Sequence, residues 1–166
     1  MKTLIYCAVA LAILAAGFLY LVASAPAEQE SYVAPATITF DYPEKLPATY
    51  MHAMHWPPQA TLIEEPFTCT EAGDESVRAG KTEKRIINGR TYCVTTIVEG
   101  AAGSVYTQYA YLFPVGEATI ALTFTVQAAQ CGNYDEPEKV QCEEERASFA
   151  MDSFIDDIAT TLTLSQ

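Results

Sequence analysis

The chain has 166 residues, half of them hydrophobic, and a formal net charge of −12. Residues 26–166 hold all 21 acids and all but one of the 9 bases, so that part carries about −13. A field of that sign repels phosphate backbones and excludes nucleic acid as a partner, while a charged fraction of only 18% beside 11% aromatics excludes a disordered chain.

The first element is residues 1–25. Leu4 to Ala25 is apolar, broken only by Tyr6, Tyr20 and Ser24, and Lys2 is the only charge nearby. As a helix rising about 1.5 Å per residue it reaches about 33 Å, enough to cross the hydrocarbon core of a bilayer. It is longer than the roughly 7–15 apolar residues of a signal peptide, which favours a retained signal anchor over a cleaved signal. Ala23-Ser24-Ala25 offers a small-residue cleavage site, but Pro26 follows it, and proline's ring and missing N–H suit a protease cleft poorly. Residues 4–25 are thus expected to partner a membrane, with the rest held outside the cytoplasm, in the periplasm or at the cell surface. Cleavage would instead release a secreted protein.

Residues 26–35 form a polar spacer, and residues 36–166 suit a single extracytoplasmic domain able to bury its own core. Ala36 to Tyr42 alternates as a strand and stops at Pro43. Glu44 to Pro58 reads as irregular, Ala60 to Ile63 as a short strand, and Thr70 to Lys81 as a loop. Lys84–Ile87 and Arg90–Val98 flank Asn88-Gly89, the pair that a type I′ hairpin turn favours because both positions need positive φ. Ser104–Phe113 and Thr119–Gln127 follow, separated by Gly-containing turns. Ile120, Leu122, Phe124 and Val126 share one face of the last strand, and Thr119, Ala121, Thr123 and Thr125 share the wetter one. Met151, Phe154, Ile155, Ile158 and Leu162 then recur at helical spacing, predicting one helix from near Val140 to about Leu162 with Asp152, Asp156 and Asp157 facing away. The expected class is α+β: a twisted antiparallel β-meander with a C-terminal amphipathic helix packed on one face.

Cys69, Cys93, Cys131 and Cys142 are an even set in an exported domain, so two disulfides are expected. Of three connectivities, Cys69–Cys93 and Cys131–Cys142 are favoured because each closes a short loop. A four-cysteine zinc site would want a Cys-x-x-Cys pair, which the chain lacks.

The candidate chemistry is sparse. His52 and His55 stand three apart, a spacing that aligns two imidazoles on a helical turn, with Glu64 or Glu65 as further metal ligands. No glutamate sits between them as a hydrolytic base, and Pro57-Pro58 follows, so two ordinary loop histidines is the plainer reading. Asn133, Asp135, Glu136 and Glu138 offer hard oxygens for calcium, but they match no calcium loop and serve equally as helix-dipole partners. Tyr106, Tyr109 and Tyr111 share a strand, either as core or as a contact face. No nucleophile elbow and no phosphate-cradling glycine loop is present, and nothing calls for a cofactor.

The runs FDYPEKLPATY, MHWPP, FTCTEAG, INGRTYCV, EGAAGSVYTQYAY and QCGNYDEPEKVQCEEER resemble those of small anchored or exported proteins of uncultured bacteria with reduced genomes. That resemblance implies an extracytoplasmic location and carries over no catalytic residues. The order strand-Tyr-Pro-Glu, meander, terminal helix is also similar to the PsbP-like α+β architecture, which implies a binding or assembly module.

The leading expectation is a membrane-tethered, non-enzymatic module that captures a protein or small molecule. Its contact surface is expected where the His52–Pro58 segment meets the Tyr106–Phe113 strand, with His52, His55, Trp56, Tyr109 and Tyr111 as binding residues. The alternatives are a metal carrier or metal-dependent hydrolase using His52 and His55, and a purely structural envelope protein.

Overall fold

A computed structural model of the chain describes residues 36–74 and 80–165. The anchor segment 4–25 and the spacer 26–35 lie outside the described residues, among which no helix is long and apolar enough to cross a membrane.

The strands in chain order are β1 (Thr37–Thr39), β2 (Met51–Ile63), β3 (Ala72–Gly73), β4 (Lys81–Ile87), β5 (Arg90–Ala101), β6 (Ser104–Val115), β7 (Ala118–Ala129) and β8 (Thr163–Ser165). A 3-10 turn at Cys131–Asn133 leads to helices α1 (Glu138–Ser148) and α2 (Met151–Thr160). Six strands form one antiparallel sheet in the order β2-β7-β6-β5-β4-β3, and β1 pairs with β8 in a separate two-stranded ladder. The meander β4 to β7 is the expected one, and its first turn has Asn88 and Gly89 at φ 47° and 87°. Glycine meets that requirement without steric cost and asparagine tolerates it better than most residues.

Alternation sorts the sheet into two faces. Tyr92, Val94, Tyr111, Phe113, Ile120 and Leu122 project to one face and are buried there with Ile155, Ile158 and Ala159 of α2. The first turn and the middle of α2 are pinned to the sheet by polar bonds. Asp152 accepts from Arg85 Nη1 at 2.8 Å and from the Tyr111 hydroxyl at 2.7 Å. Asp156, only 3% exposed, accepts from the Tyr92 hydroxyl and from Asn88 Nδ2 at 2.9 Å, with Arg90 Nη1 at 3.7 Å.

Several expectations are corrected. Pro57 and Pro58 do not keep Glu44–Pro58 irregular. Residues 51–63 form a sheet-edge strand, and both prolines fall where its pairing with β7 jumps from Met54–Thr125 to Gln59–Thr123. There a missing N–H removes no ladder bond. The C-terminal helix is broken at Phe149, which is extended at ψ 115° and packs against Phe154 at 6.0 Å. Apolar helical spacing starts only at Met151; in α1 the one buried residue is Cys142. Asp152 and Asp156 face the sheet rather than solvent, because five donors from β4, β5, β6 and the hairpin turn await them. The first strand is three residues long, not seven, since its partner β8 offers only three residues.

Two bridges close the fold, Cys69–Cys93 and Cys131–Cys142. The second ties the end of β7 to α1, where Glu145 accepts the backbone N–H groups of Thr49 and Tyr50, both at 2.7 Å. Two disulfides in a domain this small fit an oxidising compartment.

Candidate functional site

The site is built by a bulge in β2. Four residues, 55–58, oppose the single Phe124 of β7, and such an insertion re-aims the side chains it carries. Trp56 goes to the helix-covered face. Its indole N–H donates to the Pro43 carbonyl at 2.7 Å, and its ring meets Phe124 edge-on at 6.0 Å and stacks on Phe154 at 5.9 Å. His55 takes a positive φ of 56° and lines a cavity on the other face. A non-glycine residue there is held against a cost of about 1–3 kcal/mol, which the surroundings must impose.

That cavity holds about 300 Å³. Its floor is two neighbouring cross-strand rows, Thr95-Ala110-Thr123-Gln59 and Ile97-Gln108-Thr125, set side by side by the registers of β5, β6, β7 and β2. Tyr109 and Phe124, paired between the two rows, complete the lining. Among the described residues that line it there is no Asp, Glu, Lys or Arg. Further along the same face the Cys69–Cys93 bridge draws the preceding segment onto β5, and the Thr119 hydroxyl donates to the Glu65 carbonyl at 2.9 Å. Among the described residues the sheet is therefore roofed at one end and open at the cavity.

The residues expected to bind fall into three places. His55 lines the cavity, whereas Tyr109 borders it only from beneath, its ring stacked on Phe124 at 5.2 Å and on Tyr111 at 6.0 Å on the helix-covered side. His52 lies by a smaller hollow of about 180 Å³ with Leu46, Ala48 and Trp56. The two histidines sit on a strand, His52 in its paired part and His55 in the bulge, not on one helical turn, and open onto different hollows. Among the described residues no three His, Cys, Asp or Glu are grouped as a metal ion would require. Tyr111 has no exposed surface and offers a partner no contact, because alternation turns it under α2. Trp56 is likewise engaged in the core rather than presented on a loop.

Electrostatics separates the faces further. On the helix side, burial and then the Asp152 carboxylate hold the Tyr111 hydroxyl above its ordinary pKa, and burial and then Asp156 do so for Tyr92. Hydrogen bonds from Lys81 and then Arg85 hold Glu83 below its ordinary value. These groups lock α2 in place and none reaches the cavity.

Sequence reasoning missed Gln59, Thr95, Gln108, Thr123 and Thr125. The wetter face of β7 was visible as Thr123 and Thr125, but Gln59, Thr95 and Gln108 join them only through register. A wider hollow of about 480 Å³ lies along Gln130–Gly132 and Glu143–Ala147; every residue lining it except Cys131 is exposed, so it is solvated surface. No family model matches this chain, and no curated protein and no solved structure matches it either.

Proposed function

We propose that the chain is a non-catalytic binding module working outside the cytoplasm, carried at a membrane by residues 4–25, with its ligand on the helix-free face of the sheet. The observation that supports this reading is the cavity beside the β2 bulge. A preformed concavity with a few convergent polar groups is what a small-molecule site needs. It sits on rigid strands, and His55 is held over it in an unfavourable backbone conformation. Among the described residues the lining offers the Thr95, Thr123 and Thr125 hydroxyls, the Gln59 and Gln108 amides and the His55 imidazole, groups that can orient a ligand by hydrogen bonds.

The test is native mass spectrometry on the full chain, made in an oxidising compartment and never exposed to chelator. The expected result is a co-purifying small-molecule mass that disappears in Thr123→Arg, a variant that fills the cavity from a half-buried position and should keep the parent circular dichroism. An apo mass in the parent, or a ligand retained by a folded Thr123→Arg, overturns the reading. A metal mass lost in His52→Ala would replace it with the metal-carrier or hydrolase reading.

A further inference from the structure

Resting on that placement of the site, we infer that the cavity takes a neutral, hydroxyl-rich ligand, a saccharide of one or two rings, rather than a charged metabolite. The carrying observation is the polar but neutral character of the described lining, which holds no Asp, Glu, Lys or Arg, in a chain whose net charge is −12. An anion entering the cavity meets no Lys or Arg among the described lining residues, only the single exposed imidazole of His55, and the field of the domain opposes its approach. A cation is drawn in by that field but finds no carboxylate at the floor. A neutral ligand escapes both penalties.

The polar groups that are present match hydroxyls. The threonine hydroxyls and glutamine amides each donate and accept, as every sugar hydroxyl does. Gln59, Gln108, Thr123 and Thr125 make no side-chain hydrogen bond to another described residue, so their capacity is available to a ligand. Thr95 differs: its hydroxyl is shared with Thr82 at 2.8 Å, which fixes it at the cavity wall. Ile97 and Ala110 lie between these groups and give the C–H face of a sugar ring an apolar surface. A volume of about 300 Å³ is at the small end of ligand sites, which limits the occupant to one or two rings.

The experiment is an amide NMR titration of the full chain in a zwitterionic, sugar-free detergent. The probes are maltose, cellobiose and chitobiose, with glucose 6-phosphate and glucosamine as charged controls of similar size. At least one neutral disaccharide should saturate the signals of Thr95, Gln108, Thr123 and Thr125. Gln108→Ala should weaken that binding by about three- to tenfold, the worth of one neutral hydrogen bond. The charged sugars should bind at least about tenfold more weakly. A charged sugar that saturates the same signals as well or better overturns the ligand class and leaves the cavity as the site. Cavity signals that stay still for every neutral sugar up to its solubility also overturn the class, while the co-purification result above still decides the site. Shifts confined to other residues, and unchanged in Thr123→Arg, overturn both.

Discussion

Leu122 and Thr123 are neighbours on β7 and opposites in environment. Leu122 has no exposed surface and belongs to the cluster sealed by α2; Thr123 is half-buried at the floor of an open cavity. The same contrast runs across the sheet. One face is closed by aliphatic and aromatic packing and by two aspartates whose partners are all supplied from within. The other carries neutral polar side chains, of which Gln59, Gln108, Thr123 and Thr125 bond to no other described side chain. Stability is therefore concentrated on one face, and the second is free to meet a ligand without weakening the domain.

Paired substitutions test this division. Leu122→Ala should cost about 4 kcal/mol in urea unfolding, as deletion of a fully buried leucine does, whereas Thr123→Ala should stay within about 0.5 kcal/mol. A large cost for Thr123→Ala would show that the open face is covered in solution. Replacing Cys69 and Cys93 together by serine should cost about 3 kcal/mol through the lost loop constraint and should raise amide exchange along the roofed end of the open face. Unchanged exchange there would mean that the roof is held without the bridge. Asp156→Ala should cost about 2 kcal/mol, because the Tyr92 hydroxyl and Asn88 lose their acceptor. Asp157→Ala, on the exposed side of α2, should cost almost nothing, and equal losses would remove the distinction between the two sides of the helix.

The smallest effect is the pH dependence. Tyr92 and Tyr111 both have hydroxyl pKa values raised above the ordinary 10.0 in the folded chain. Below pH 10 both states keep these protons and the contribution is fully present. Above it the unfolded chain releases them first, so stability falls as pH rises toward the higher folded values. Tyr111→Phe should remove about 1.4 kcal/mol per pH unit from that alkaline slope. Urea unfolding between pH 9 and 11 measures it, and an unaltered slope would place the Tyr111 hydroxyl in water.

What was legible in the chain was local. Period-two alternation in Thr119–Gln127 gave both faces of β7, Asn88-Gly89 located the first hairpin turn, and the even set of four cysteines after residue 25 pointed to the two short bridges that form. Local signals also misled. The Pro57-Pro58 pair argued against a strand, yet both residues fall in a bulge where no ladder bond is needed. Helical spacing in Met151–Leu162 was real, but extending it back to Val140 crossed a break at Phe149 that carries no proline or glycine to announce it. Asp152 and Asp156 looked like part of the same solvent stripe as the exposed Asp157, because a carboxylate's buried partners are invisible from its own helix.

The sequence by itself therefore determined the α+β class, the meander and the acidic character of residues 26–166, and favoured among three cysteine pairings the one that forms, since each depends on residues near one another or on totals. Only the tertiary structure decided which face stayed open and that His55, Gln59, Thr95, Gln108, Thr123 and Thr125 meet there. They come from four strands spread over some 70 residues of chain. Their meeting is set by inter-strand register, where a slip of one residue exchanges the two faces.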